Sequence, residues 1–361
     1  MEPLKSPNTE TTTRESREKL PDLLKGFGII LVVLGHCIQI GSGTTFNTES
    51  LYFSDKLYQF IYSFHMPLFM MVSGYLSWGS MQRATSGKQR VDLLKRRVRV
   101  LITPVFLWIT AEYLIKLIIN LVNGNLPQKT FIFEYFYNIF NNFWFLWAVF
   151  WCFLIVFVMH YFFKDSVILY ILGFMVMFFI PDGMALGAYK FMMPYFIVPF
   201  YLNKYMDKNN MRLDVKPKAA WIVFSGLVFV GLFLFFDENS FIYLSGYKLI
   251  GKDVVRQLKI DFYRMIIGFA GSAFFILIWQ YILAKCNGRC EFKILTALGK
   301  NSMGIYIIST YLLVYVIQNL NPLNQPFYPL NAVQAVVVLV VSLFLTELLG
   351  KLPYVRKIVG K

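Results

Sequence analysis

Along the chain, long apolar runs alternate with short polar connections. Ten runs are long enough, or nearly so, to cross the ~30 Å hydrocarbon core of a bilayer as helices. They lie at 24–41, 57–78, 98–122, 142–163, 166–180, 186–202, 219–236, 261–283, 298–318 and 332–350. The pattern predicts an all-α, polytopic membrane protein of about ten transmembrane helices. The fifth and sixth runs are short, and Pro194 and Pro199 interrupt the sixth; broken helices are tolerated where they face protein or a wet cavity. Residues 1–19 are polar and charged, without the apolar core of a cleavable signal. They predict a disordered cytoplasmic tail over 1–20, followed by one membrane domain over 21–361.

Composition agrees with the pattern. Of 361 residues, 57% are hydrophobic, 18% aromatic and only 15% charged, an apolar excess that a soluble core cannot absorb. The net charge of +15 does not point to nucleic acid, because the basic residues sit in short loops. They gather in the tail and in 83–99, 204–218, 285–293 and 351–361, with Lys164 in a short loop between. In a ten-span chain all of these fall on one side, and the positive-inside rule then makes both termini cytoplasmic. The 237–260 loop is the exception: it is basic yet falls outside. Cys37 and Cys152 lie in apolar runs. Cys286 and Cys290 form a CxxxC without a zinc-completing partner, so no metal is expected.

The candidate chemistry starts in the first run. Asp22, Lys25 and His36 share a helical face, Lys25 and His36 being about three turns and roughly 16 Å apart. An ionisable group that deep in a membrane costs on the order of 2.5 kcal/mol or more and is functional by default. Histidine is also the side chain best suited to take a proton near neutral pH. The competing reading is a buried histidine bonded to a neighbouring helix. His65 lies at similar depth in the second run. It serves either substrate or catalysis, or else satisfies carbonyls freed by Pro67. Ser73-Gly74 allows close helix approach.

Arg96, Arg97 and Arg99 open the third run. They read as positive-inside anchors or as a phosphate grip, since guanidinium and phosphate match well. Glu112 with Lys116, and Asp261 with Arg264, read as self-neutralising pairs or as lining of an acceptor site. Trp144 at a helix start reads as an interface anchor.

Together these residues resemble the membrane-bound acyltransferase family 3, the O-acyltransferases of surface polysaccharides and the fucose O-acetylase-like subgroup. The similarity rests on Lys25 to His36, on Phe64-His-Met-Pro-Leu-Phe69 with Ser73-Gly74-Tyr75, and on Arg96-x-x-Arg99 with Pro104. Trp144-Phe145-Leu146 and the Gly299-to-Tyr306 stretch add to it. Many members have a histidine where this chain has Ser309.

The resemblance implies a bacterial inner-membrane acyltransferase. It moves an acyl group, foremost acetyl, from cytoplasmic acyl-CoA (acetyl-CoA) to a hydroxyl of a carbohydrate acceptor, a polysaccharide or lipid-linked oligosaccharide. In that reading His36 and His65 are catalytic, and Lys25, Arg96, Arg97 and Arg99 hold the CoA. Asp22, Ser73, Glu112, Trp144, Asp261 and Arg264 serve the substrate. The alternatives are a glycan succinyltransferase and a polysaccharide exporter or flippase. The lipid bilayer is the expected surround, and no nucleic acid is expected.

Overall fold

The computed structural model describes residues 8–41, 51–209, 211, 216–286, 290–320, 327–353 and 355–360. Residues 1–7 of the expected tail, and parts of the basic 204–218 and 285–293 loops, lie outside them. The described residues are helical throughout, joined by turns and irregular connections. In chain order the helices are α1 (Asn8–Gly41), α2 (Lys56–Gln82), α3 (Gly87–Arg97), α4 (Thr103–Val122) and α5 (Phe131–Asn141). Next come α6 (Trp144–Phe162), α7 (Val167–Met177), α8 (Leu186–Lys208), α9 (Ala219–Phe233) and α10 (Ile242–Ser245). The last are α11 (Val254–Cys286), α12 (Lys293–Lys300), α13 (Ser302–Leu312), α14 (Gln318–Leu320) and α15 (Tyr328–Lys351).

Among the described residues, five helical stretches are long and apolar enough to cross a membrane: Lys19–Ile40, Gly87–Val122, Trp144–Phe162, Val254–Cys286 and Tyr328–Lys351. The pair Lys293–Lys300 and Ser302–Ile317, bent by 79° at Asn301, makes a sixth if it is one broken span. The other expected spans are helical but shorter or more polar. α7 and α9 are short apolar helices, and α2 carries buried Gln59, Ser63, His65 and Ser77.

Several boundaries differ from the sequence pattern, each for a local reason. α1 reaches back to Asn8, into the stretch expected as a tail; the Glu, Arg and Lys there are good helix formers. α8 runs unbroken through Pro194 and Pro199, which the sequence reads as an interruption, and α2 runs through Pro67. A proline costs one hydrogen bond but does not end a helix whose neighbours hold it.

At the third run α3 and α4 are joined by a π-helical turn, Val98–Ile102. Pro104, which has no N–H to give, follows immediately, and the wider turn accommodates its ring. The eighth run begins at Val254, seven residues before Asp261. Cys286 and Cys290, the CxxxC of the sequence, are joined in a disulfide.

The chain divides into two compact units. Unit 1 comprises Met1–Val72, Tyr201–Glu238 and Tyr263–Leu343. Its core joins α1, α13 and α15 through Ile29, Val32, Val33, Cys37, Ile305, Ala335, Val338 and Leu339. A second cluster is aromatic, with Phe64 stacked on Phe275 at 4.5 Å and edge-on to Phe229 at 5.5 Å. The start of the apolar stretch of α1 meets α12 backbone to backbone: a Cβ on Gly26 would fall 2.0 Å from the Leu295 carbonyl oxygen. That approach is what small residues permit in membrane helices.

Unit 2 comprises Ser73–Phe200, Asn239–Phe262 and Phe344–Lys361. Trp147 Nε1 donates to the Ile139 carbonyl at 2.8 Å, tying α6 to α5. Trp108 Nε1 donates to the Ile358 carbonyl at 2.8 Å. Buried Lys190 pairs with Asp182 at 2.6 Å, and Asp182 also accepts from the Tyr247 N–H at 2.8 Å. This charged knot fastens α8 to the segment after α10.

Candidate active site

In unit 1, α1 and α2 carry the two membrane histidines. His36 is half-buried, and its Nδ1 lies 3.1 Å from Gln39 Oε1 one turn along. An amide oxygen only accepts, so Nδ1 carries the proton and Nε2 presents its lone pair. Buried His65 has Nδ1 2.7 Å from the Ile61 carbonyl oxygen, which fixes the same tautomer. Its ring stands edge-on to Tyr62 at 4.6 Å. The two histidines are close enough to act on each other electrostatically.

Pro67 strips its hydrogen bond from the carbonyl four residues back, that of Ser63. His65 bonds Ile61 instead, so repair of the proline gap does not account for it. Each histidine therefore has Nδ1 engaged and presents Nε2 as a lone pair, the atom through which a general base takes a proton.

Lys25 and Asp22 form an ion pair of 2.7 Å near the start of the apolar Lys19–Ile40 stretch of α1, with side chains 25% and 21% exposed. Unit 1 thus holds His36, His65, Lys25 and Asp22, together with Arg264, which is buried in α11.

The remaining candidates stand in unit 2. Arg97 turns inward: its guanidinium lies 4.5 Å over the Phe153 ring, and its Nη2 is 3.5 Å from Ser77 Oγ. Arg96 and Arg99 are exposed, displayed on either side of the start of the π turn. Ser73 gives its carbonyl to Ser77 Oγ at 2.7 Å, and a Cβ on the adjacent Gly74 would fall 2.1 Å from the Phe196 carbonyl oxygen.

Glu112 is engaged by Lys116 at 2.6 Å, as the self-neutralising reading expects. Trp144 is half-buried and edge-on to Tyr243 at 6.4 Å. Asp261 is buried and accepts from Gln257 Nε2 at 2.8 Å. With α11 starting at Val254, Asp261 and Arg264 lie two turns inside the helix and not at its opening.

Two residues of the site escaped the sequence reading. Gln39, three residues beyond His36, had a signal in its i,i+3 spacing. Asn331 on α15 donates from Nδ2 to the Cys37 carbonyl at 2.9 Å, across 294 residues of sequence, with no local signal. Ser309 is buried and donates to the Tyr306 carbonyl at 3.1 Å. Among the described residues no group of three or more His, Cys, Asp and Glu is placed to hold a metal ion.

The sequence matches the family model described as an acyltransferase domain over residues 19–350. It is similar to the nodulation protein NolL of Mesorhizobium japonicum, at 32% identity over 148 residues, which is 40% of this chain and 37% of that protein. It is also similar to NolL of Sinorhizobium fredii, at 35% identity over 128 residues, 36% of this chain and 32% of that protein. The matches thus span about a third of the length of these curated relatives. No solved structure matches the chain.

Proposed function

Because the chain belongs to this acyltransferase family and is an integral membrane acyltransferase, we propose that it moves an acyl group from cytoplasmic acyl-CoA to a glycan hydroxyl, with His36 as general base. The observation that carries this reading is the Gln39 contact, which leaves His36 Nε2 as a free lone pair on α1. In the proposed reaction Nε2 takes the proton of the acceptor hydroxyl as its oxygen attacks the thioester carbon. The C–S bond of the tetrahedral intermediate then breaks. The protonated histidine returns its proton to the departing CoA thiolate, so atoms and charge balance. His65 accepts through Nε2 from a second, neighbouring hydroxyl of the acceptor sugar and so holds the attacking oxygen in place.

Lys25 serves the donor's phosphates at the cytoplasmic end of the apolar stretch of α1, and the roughly 16 Å to His36 suits an extended pantetheine arm. Independently of Lys25, exposed Arg96 and Arg99 of unit 2 are proposed as phosphate-pairing cations. The shorter apolar helices complete ten spans, with both termini cytoplasmic in a bacterial inner membrane. The acceptor is a polysaccharide or lipid-linked oligosaccharide, with acetyl-CoA as the first donor to try. Family membership favours this reading over an exporter or flippase.

The test is acetyl-CoA consumption, read as released thiol, by protein in proteoliposomes supplied with oligosaccharide acceptors. Wild-type protein is expected to release thiol with acceptor acylation, and His36→Ala to lose about 10²-fold or more in rate. A His36→Ala protein that acylates at the wild-type rate removes His36 from the mechanism.

A further inference from the structure

α15 turns a line of polar side chains into the interior of unit 1. Asn331, Gln334 and Ser342 are 1%, 8% and 0% exposed. Their oxygens Asn331 Oδ1, Gln334 Oε1 and Ser342 Oγ are all buried without a hydrogen-bond partner. A buried acceptor left without a donor is costly, and here three recur on one helical face. Asn331 is held by its other end, Nδ2, to the carbonyl of Cys37, the residue after His36. The oxygens therefore begin at the level of the proposed base. Around them the core is apolar: Val32, Val33, Ala335, Val338 and Leu339. Asn331 and Ser342 are eleven residues apart, the same interval as Lys25 to His36, or roughly 16 Å of helix.

A ligand satisfying these oxygens must bring hydrogen-bond donors into the apolar core beside His36. An acyl-CoA donor does so through the two amide N–H groups of its pantetheine arm, which an apolar surround would otherwise leave unpaired. Four covalent bonds separate the two amide nitrogens, on the order of 5 Å; Asn331 and Gln334 are separated by a rise of roughly 4.5 Å.

We propose that Asn331 and Gln334, with Ser342 beyond them, are the binding wall for the pantetheine arm, accepting hydrogen bonds from its amides as the thioester is brought to His36. This rests on the reading that acyl-CoA is the donor. In the ten-span arrangement α15 runs opposite to α1, so Gln334 lies one turn from Asn331 toward the Lys25 end, in the order in which the arm would enter.

The test uses the full chain in proteoliposomes with two donors: acetyl-CoA, and an analogue whose two pantetheine amide nitrogens are methylated. The main variant is Gln334→Met, nearly isosteric but without the amide's acceptor and donor; Asn331→Leu is the second. Thermal stability is followed alongside. Gln334→Met is expected to raise the KM for acetyl-CoA about tenfold, the loss of one hydrogen bond in a dry site, with little change in kcat. Its KM for the methylated donor should stay at the wild-type value.

An unchanged KM for acetyl-CoA in folded Gln334→Met overturns the proposal. So does an equal rise for both donors, or a rise confined to the KM of the oligosaccharide, which would mark these oxygens as part of the acceptor site. Wild-type protein that consumes no acetyl-CoA overturns the donor reading, and this inference with it. Turnover with unmoved KM values overturns this inference alone.

Discussion

A Cβ on Gly299 would fall 1.8 Å from the carbonyl oxygen of Asp22. The start of the apolar stretch of α1 and the end of α12 are thus in backbone contact just where Asp22 and Lys25 emerge, and Gly26 repeats the approach one turn on, against Leu295. Neither neighbour is a side-chain tip that could turn aside. Gly299→Ala and Gly26→Ala are expected to push the two helices apart, at a cost of about 1–3 kcal/mol each. The check is thermal unfolding in detergent. Activity should fall with the stability, because Lys25 rides on the displaced turn. An alanine variant with unchanged melting temperature would mean that the contact is looser than described.

The second prediction concerns the tautomer of His36. Gln39 Oε1, 3.1 Å from Nδ1, acts through the histidine and not on substrate. Gln39→Leu removes the acceptor and lets the proton sit on either nitrogen. The expected result is a fall in kcat of about tenfold to a hundredfold, part of what a general base contributes, with the donor KM unchanged. A purely structural glutamine would instead move the melting temperature and leave kcat of the folded protein alone. Steady-state kinetics beside a melting curve separate the two.

These relationships differ in how far the sequence announces them. The Asp22–Lys25 and Glu112–Lys116 pairs are local, at i,i+3 and i,i+4, and helical periodicity alone brings them together. The apolar runs announce helices for the same reason. Pro194 and Pro199 misled, because a proline removes one hydrogen bond while packing decides whether the helix continues. The 79° bend at Asn301 was hidden inside one apolar run, since hydropathy does not record direction. Gln39 was legible by its spacing from His36. The Asn331 contact with Cys37 is tertiary, and no local pattern encodes it.

The arginines at the start of the third run divide into two roles. Arg97 lies over Phe153 and reaches Ser77, whereas Arg96 and Arg99 point outward. Arg97→Leu is expected to lower stability by about 1 kcal/mol, the scale of a partly buried cation–π contact, with little effect on donor KM. Arg96→Ala with Arg99→Ala should leave the melting temperature in place and raise the KM for acetyl-CoA severalfold. The rise should shrink as salt screens the exposed charges. If the double variant shows no change in KM at low salt, these two arginines are anchors only.

The last prediction separates Asp22 from Lys25. Their 2.7 Å pair is partly solvent-exposed, so it contributes about 0–1 kcal/mol at most, and Asp22→Asn should leave stability almost untouched. The consequence for binding is larger, because the carboxylate competes with any phosphate for the Lys25 ammonium. Freed of that competitor, Lys25 should bind the donor more tightly, and Asp22→Asn is expected to lower the KM for acetyl-CoA two- to threefold. Lys25→Met should raise it. In the double variant the Asp22 effect should vanish, since it acts only through Lys25. An Asp22→Asn protein with an unchanged donor KM and a raised acceptor KM would instead place Asp22 against the glycan.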